Sequence, residues 1–377
     1  MSREELRNTA GVLGSRILVC HQGALGDLIL TLPAIKALRD FLQPRRMQGM
    51  PAWLEMIGHP WTLALVHGHP YADAVMDINR GDMAPLFQEH APLPAAIRGY
   101  LGQFAAAFCF ARSETLAYNL RRAGIRQTFT LPSFPDKRMH VIDHHLLSLQ
   151  ALGIAAPPTP PAILPPQGAQ EEAKAFFFQK GWDLDKIIAI HPGAGSRKKA
   201  WPAARFAALA RALASTGHKI LILEGPADKA AAAEVVAGLG DIPHLLVQDL
   251  PITKVAALLS LASLFIGNDS GISHVAAALK VPIIALFGPT DPFVWAPRSD
   301  RAFWLQGRVA CAPCTRDEQR LCERQQCLEE IEVEQVMALI AEKGMISNTA
   351  AFYDRRAISI EKCDQRLGEK GHLLPPL

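Results

Sequence analysis

The stretch "IGNDSGISHVAAALKVPIIALFGPT", Ile266 to Thr290, decides the fold class. An apolar run, Leu264 to Ile266, stops at Gly267-Asn268-Asp269-Ser270-Gly271, and apolar residues resume as Val275, Ala276, Ala278 and Leu279. A buried strand, a polar glycine-bounded turn and a helix beginning within a residue or two make one unit of a parallel α/β sheet. The turn also has chemistry. The first N–H groups of a helix lack partners and its dipole is positive there, so a phosphate is a natural guest.

Around this unit the alternation continues. Ile187 to Ile190, Ile220 to Leu223, Leu245 to Val247, Leu264 to Ile266 and Ile283 to Phe287 read as strands, with helical patterns between them. One such pattern is Phe206, Leu209, Ala210 and Leu213, opened by Pro202. The first half repeats the theme less cleanly. Ile17 to Cys20, Trp53 to Ile57, Ala74 to Ile78 and Ala106 to Phe110 read as strands, and Ala34 to Leu42 as a helix that begins near Leu32 or bends at Pro33. Between the halves lies "PPTPPAILPP", a stiff extended spacer that marks a domain boundary. The expected division is residues 1–156, a linker 157–167, a second domain 168–345, and an extension 346–377 that either crosses back to the first domain or does not. Two open α/β domains bind ligands where the carboxyl ends of their strands face each other.

Composition narrows the function classes. Of 377 residues, 49% are apolar and 20% charged, a globular balance. A net charge of +3 is too small to argue for nucleic acid as the main partner. The opening MSREELRNTA places glutamates where a secretion signal needs a basic start, and Val255 to Ile266 is too short to span a membrane. The chain is therefore expected in the cytoplasm, with its seven cysteines as thiols and Cys20 and Cys109 in the core.

Three segments follow strands and so belong at the cleft. HQGALGD, His21 to Asp27, lacks the G-x-G-x-x-G spacing of a dinucleotide site, which disfavours a dehydrogenase. Gly23 and Gly26 permit close backbone approach, and Asp27 is either a helix cap or a general base for a substrate hydroxyl. HPGAGSRKKAWP, His191 to Pro202, sets Arg197, Lys198 and Lys199 beside a donor-rich turn containing Gly193, Gly195 and Ser196. It suits a diphosphate, or is a solvated basic loop. In the third, the opening stretch, Asp269 is a candidate cap, Ser270 and Gly271 offer N–H groups, and His274 faces the same ligand or is structural. Glu224, after another strand of that sheet, is placed to accept ribose hydroxyl protons.

Taken together, "GALGDLILTLPAIKALR", "HPGAGSRKKAWP" and "GNDSGISHVAAALKVPIIALFGPTDP" resemble, in this order, the signature blocks of the family 9 glycosyltransferases, the ADP-heptose lipopolysaccharide heptosyltransferases. The resemblance covers about residues 16 to 340. It implies a GT-B fold, two Rossmann-like domains with mainly parallel sheets facing across a cleft, acceptor in the first and donor in the second. It implies that Asp27 is the catalytic base, that Lys199 and Ser196 contact the donor phosphates, and that Asp269 lies near the transferred sugar. Ser270, Gly271 and His274 then belong to the diphosphate turn. The implied reaction inverts the anomeric centre and needs no cofactor or catalytic metal. Its donor is an ADP-sugar and its acceptor an anionic glycolipid of the lipopolysaccharide core. Another GT-B sugar-nucleotide enzyme and a non-catalytic nucleotide-sugar-binding subunit are the rival readings.

Two features stand outside the resemblance. Cys311, Cys314, Cys322 and Cys327, spaced C-x₂-C-x₇-C-x₄-C, are candidates for a structural zinc, with free thiols or a redox disulfide as alternatives. Arg121, Arg122, Arg126, Lys137 and Arg138 form a basic cluster suited to an anionic acceptor or to ordinary solvation. With the apolar run Leu93 to Phe110, read as a bilayer contact or as core, that cluster sets an expectation of peripheral attachment at the inner-membrane surface.

Overall fold

A computed structural model describes residues 16–47, 53–68 and 70–346. Two parallel sheets form its framework. The first contains β1 (Arg16–His21), β2 (Trp53–Gly58), β3 (Ala74–Asp77), β4 (Ala106–Phe110) and β5 (Gln127–Leu131) in the order β3-β2-β1-β4-β5. The second contains β6 (Ile187–His191), β7 (Lys219–Leu223), β8 (His244–Val247), β9 (Leu264–Asn268), β10 (Ile283–Phe287) and β11 (Ala302–Gln306) in the order β11-β10-β9-β6-β7-β8. This is the GT-B arrangement.

The strand order locates the sites. In the first sheet β1 has β2 on one side and β4 on the other, with Cys20 in register with both Ile57 and Cys109. In the second, β6 lies between β7 and β9. At each of these reversals the loops leaving neighbouring strands diverge to opposite faces and open a crevice. The crevice loops are those after β1 and β4 in one lobe, and after β6 and β9 in the other.

Burial explains which strands declare themselves in sequence. Ile17, Leu18, Val19, Ile283, Ile284 and Ala285 are fully buried, as befits strands covered on both faces by helices. β5 and β11, which the apolar pattern does not predict, are edge strands whose residues are mostly half-buried. The pattern also misplaces the first helix. It runs from Leu25 to Met47, several residues earlier than expected, and passes through Pro33. An interior proline costs about 3 kcal/mol. Burial of Leu28, Ile29, Leu32, Ile35 and Leu38, each worth roughly 1.5–3 kcal/mol, outweighs it.

The large aliphatic side chains of Leu93 to Phe110 belong to the core. Leu93, Ile97, Leu101, Phe104 and the whole of β4 are buried in the first lobe. No helix among the described residues is long and apolar enough to cross a membrane. The proline-rich segment has neither helix nor strand before the helix that starts at Gln167. It is tied at both sides: Tyr71 of the first lobe donates its hydroxyl to the Ala162 carbonyl, and the Ile163 N–H donates to Ala278 of the second. The expected extension lies outside the described residues from 347 onward.

The lobes meet through one apolar core. Leu25, Leu28 and Ile29 pack with Ile272, Val275 and Ala276. At the tip of this contact a Cβ on Gly26 would approach the Gly271 Cα to 3.4 Å and the His274 ring to 3.0 Å, so the close approach of the two helix N-termini leaves little room for a side chain on either glycine.

Candidate active site

The first-lobe loop is shaped by lack of space. A Cβ on Gly23 would sit 2.7 Å from the Asp27 Cβ and 2.9 Å from its Oδ2, so any side chain there would displace the carboxylate. Asp27 is the third residue of its helix, and Oδ2 accepts the Ala24 N–H at 3.1 Å. It therefore caps the helix, an interaction worth roughly 1 kcal/mol. Capping leaves the carboxylate in the cleft. Burial raises its pKa, opposed by the Ala24 N–H and by the charges of Lys199 and Arg112, while Asp269 pushes it up further. A half-buried carboxylate of raised pKa between two cations can accept a proton.

The second-lobe loops are held by a buried asparagine. Asn268 Nδ2 donates to the Pro192 and Gly193 carbonyls at 2.8 and 3.1 Å, and its Oδ1 accepts the Trp201 N–H at 2.9 Å. One side chain thus locks the loop after β6 to the loop after β9. Ser196 Oγ accepts the Lys198 N–H at the start of the 3₁₀ turn Arg197–Lys199. That turn aims Lys199 Nζ at Asp269 Oδ2, 2.8 Å away. Thr290 donates its hydroxyl to the same oxygen at 2.6 Å.

These contacts correct two expectations, for Asp269 and Lys198. Asp269 is not the helix cap: Ser270 occupies that position, its backbone extended and without a capping side-chain bond, while Asp269 pairs with Lys199 and Thr290. Lys198 does not face the turn. Its ammonium donates to the Gln319 and Arg320 carbonyls at 2.8 and 2.6 Å, bracing the end of the helix Arg316–Leu321. His274 is buried against Gly26, and burial pushes its pKa down to about 4, so the ring is neutral.

Glu224 stands just past the end of β7, half-buried, with its N–H on the Val247 carbonyl. Beneath Gly193 lies Asp228, so close that a Cβ on that glycine would fall 2.0 Å from the Asp228 carboxyl carbon. Asp228 is 3.5 Å from His191 Nε2, whose Nδ1–H donates to the Leu223 carbonyl. Thr290, Asn268 and Asp228 are functional candidates that residue-type reasoning passed over. The first two lie inside the opening stretch, and the glycine beside Asp228 was the available signal for the third.

The basic cluster is largely committed inside the molecule. Arg121 pairs with Glu114, Arg122 donates to the Ala91 carbonyl and Asn119, and Arg138 crosses to Asp291 of the second lobe at 2.6 Å. Arg298 and Asp143 make a second bridge between lobes at 2.6 Å. The four carboxyl-terminal cysteines are free thiols, and no three His, Cys, Asp or Glu side chains among the described residues are arranged to hold a metal ion. The proposed zinc set is therefore not assembled. The Cys314 N–H instead donates to the Pro289 carbonyl, bracing the loop that carries Thr290.

Two parallel-sheet lobes, with glycine turns and a lysine–aspartate pair at facing strand ends, define a GT-B protein. The sequence profile described as glycosyltransferase family 9 (heptosyltransferase) matches residues 116–324. The chain belongs to glycosyltransferase family 9, and it is a glycosyltransferase. It is 31% identical over 334 residues to lipooligosaccharide heptosyltransferase 2 of Campylobacter jejuni, covering 83% of this chain and 94% of that one. It is 27% identical over 303 residues to lipopolysaccharide heptosyltransferase 3 of Escherichia coli, covering 74% and 85%. Among solved structures, a family 9 glycosyltransferase from Veillonella parvula has a TM-score of 0.69 at 22% identity, covering 88% of this chain and 97% of that one. ADP-heptose lipopolysaccharide heptosyltransferase II of Escherichia coli has a TM-score of 0.63 at 20% identity, covering 87% and 99%. These two likenesses concern the fold.

Proposed function

We propose that this chain transfers a heptose, with inversion, from an ADP-sugar to a hydroxyl of a lipopolysaccharide core acceptor. Residues 1–156 hold the acceptor and residues 168–345 the donor, joined by the linker 157–167. The observation that carries this reading is the meeting of Asp27 from one lobe with the Lys199–Asp269 pair of the other, close enough for their charges to act on one another.

Asp27 takes the proton of the acceptor hydroxyl as its oxygen attacks the anomeric carbon. The bond from that carbon to the diphosphate breaks on the opposite face, and ADP leaves with the electron pair. The leaving diphosphate gains negative charge. Lys199 and the helix N–H groups at Ser270 and Gly271 stabilise it in a partly dry cleft, where preorganised donors act most strongly. Asp269 and Thr290 hold the Lys199 ammonium in place beforehand. Ser196 lies in the same phosphate-facing loop, and Glu224 accepts the ribose hydroxyl protons. Neutral His274 packs the lobe contact beside the diphosphate. No step calls on a metal, so EDTA leaves the rate unchanged. The reaction takes place at the cytoplasmic face of the inner membrane, where the glycolipid acceptor is presented.

The test is transfer from ADP-heptose to deacylated core oligosaccharide by purified protein, with the product's anomeric configuration read by NMR. An inverted linkage is expected. Retention, transfer only from another nucleotide sugar, or saturable binding without turnover would each replace this reading.

A further inference from the structure

Lys198 and Lys199 are neighbours on one 3₁₀ turn, yet their ammonium groups leave it for different partners. Lys199 meets Asp269, and Lys198 meets the carbonyls of Gln319 and Arg320. We propose that Lys198 is a positioning residue for the donor clamp, and that the cysteine-bearing segment it grips, residues 306–328, is the scaffold that holds both partners of Asp269 in place. The inference rests on the transferase reading above and assigns the support of its donor site.

The turn needs an anchor in its middle. Asn268 fixes the loop at Gly193 and at Trp201. Between these points Gly195, Ser196 and Arg197 are exposed, and a Cβ on Gly195 would meet nothing within 4 Å. Lys199 is held by Asp269, a bond that a diphosphate on the same ammonium competes for. Lys198 stays tied while that happens. Its two bonds, 2.8 and 2.6 Å long, end in the last turn of the helix Arg316–Leu321. Carbonyls there lack partners inside the helix and the dipole is negative. A lysine ammonium suits them, being a compact cation with three donors. Six residues are too few for a stable isolated helix, and a capping box closes its other end. Thr315 Oγ1 accepts the Glu318 N–H, and the Glu318 carboxylate accepts the Thr315 N–H.

A second set of contacts, independent of Lys198, ties the same segment to Thr290. Cys314 donates its N–H to the Pro289 carbonyl at 2.7 Å, and Gln306 Nε2 donates to the Gly288 and Thr290 carbonyls at 2.9 and 3.0 Å. Packing there is close. A Cβ on Gly288 would fall 2.7 Å from the Leu328 Cγ, and one on Gly307 would fall 2.0 Å from the Cys327 carbonyl oxygen. Thr290 and Lys199 both bond to Asp269 Oδ2. The segment therefore supports that oxygen from two directions, through Lys198 on one side and through Cys314 and Gln306 on the other.

Steady-state kinetics with ADP-heptose and deacylated core oligosaccharide, together with thermal midpoints, test this. Lys198→Ala should raise donor KM roughly tenfold, lower kcat severalfold and leave acceptor KM unchanged, while Lys198→Arg recovers part of the loss. The discriminating variant is Thr315→Ala, which opens the capping box at the end of the helix away from Lys198. It should raise donor KM about threefold in the wild type and add nothing to Lys198→Ala, because both act through one helix. Unchanged donor KM in Lys198→Ala, an equal rise in acceptor KM, or a lower thermal midpoint with no donor effect overturns the positioning role. A donor effect of Lys198→Ala with none from Thr315→Ala also overturns it, and makes Lys198 a direct donor contact. Calorimetric titration with ADP separates this from the transferase reading. Wild-type protein that binds ADP, more weakly after Lys198→Ala, yet transfers no heptose overturns the transferase reading and leaves the scaffold standing.

Discussion

The two sides of the cleft differ in how their polar groups are partnered. In the second lobe Lys199, Asp269, Thr290 and Asn268 are already paired with one another or with backbone, and three loops are braced before any ligand arrives. In the first lobe Arg112, on the wall of a cavity beside Asp27, stacks on Phe134 and has no carboxylate partner among the described residues. In the proposed reaction a diphosphate must be held in one geometry as it gains charge, which rewards preorganisation.

This contrast can be broken at several points. Asp27→Asn should lower turnover by about 10²- to 10⁴-fold with donor affinity unchanged, because the amide still fills the cap position but takes no proton. Wild-type turnover in that variant would remove Asp27 from the chemistry. Lys199→Ala should lower kcat by about 10²- to 10³-fold and weaken donor binding, and it also leaves Asp269 without its cation. Equal acceptor and donor effects would blur the division between lobes. Thr290→Val removes one hydrogen bond to Asp269, a loss of about 1 kcal/mol, so a severalfold fall in kcat is expected. No change there would mean that Lys199 needs no second support.

The smallest effect concerns stability and pH. Burial lowers the pKa of His21 and His274 to about 4 and of His145 to about 3. The unfolded chain binds protons on these rings from about pH 6.5 downward and the folded chain does not. Their contribution is therefore intact above pH 6.5 and is lost as pH falls toward the folded values. Asp27, with a raised pKa, works in the opposite sense but is one group against three. Thermal midpoints should fall between pH 6.5 and 4, and His145→Phe should flatten that slope. A flat midpoint in the wild type would show the rings to be accessible.

What could be read in the chain follows the same physics. Strands buried on both faces write continuous apolar runs, so β1, β4, β6 and β10 are legible to within a residue, whereas edge strands β5 and β11 mix Thr and Gln with apolar residues and are not. The start of the first helix was hidden by Pro33, whose local preference is overridden by burial along the helix. Glycine-bounded turns after strands announce the loops around Asp27, Ser196 and Ser270. Arg112 has no such flag. Its sequence neighbours, "ARSET", carry no motif, and only the pairing of β4 with β1 brings it beside Asp27. Lys198 shows the converse: its charge pointed to phosphate, and tertiary packing spent it on two carbonyls.

The most direct measurement is calorimetric titration of ADP into the wild type, Asp27→Asn and Lys199→Ala. Single-site binding is expected, equal for the wild type and Asp27→Asn and at least tenfold weaker for Lys199→Ala. Equal affinity in all three, or a loss confined to Asp27→Asn, would contradict a second lobe that grips the diphosphate while the first supplies the base.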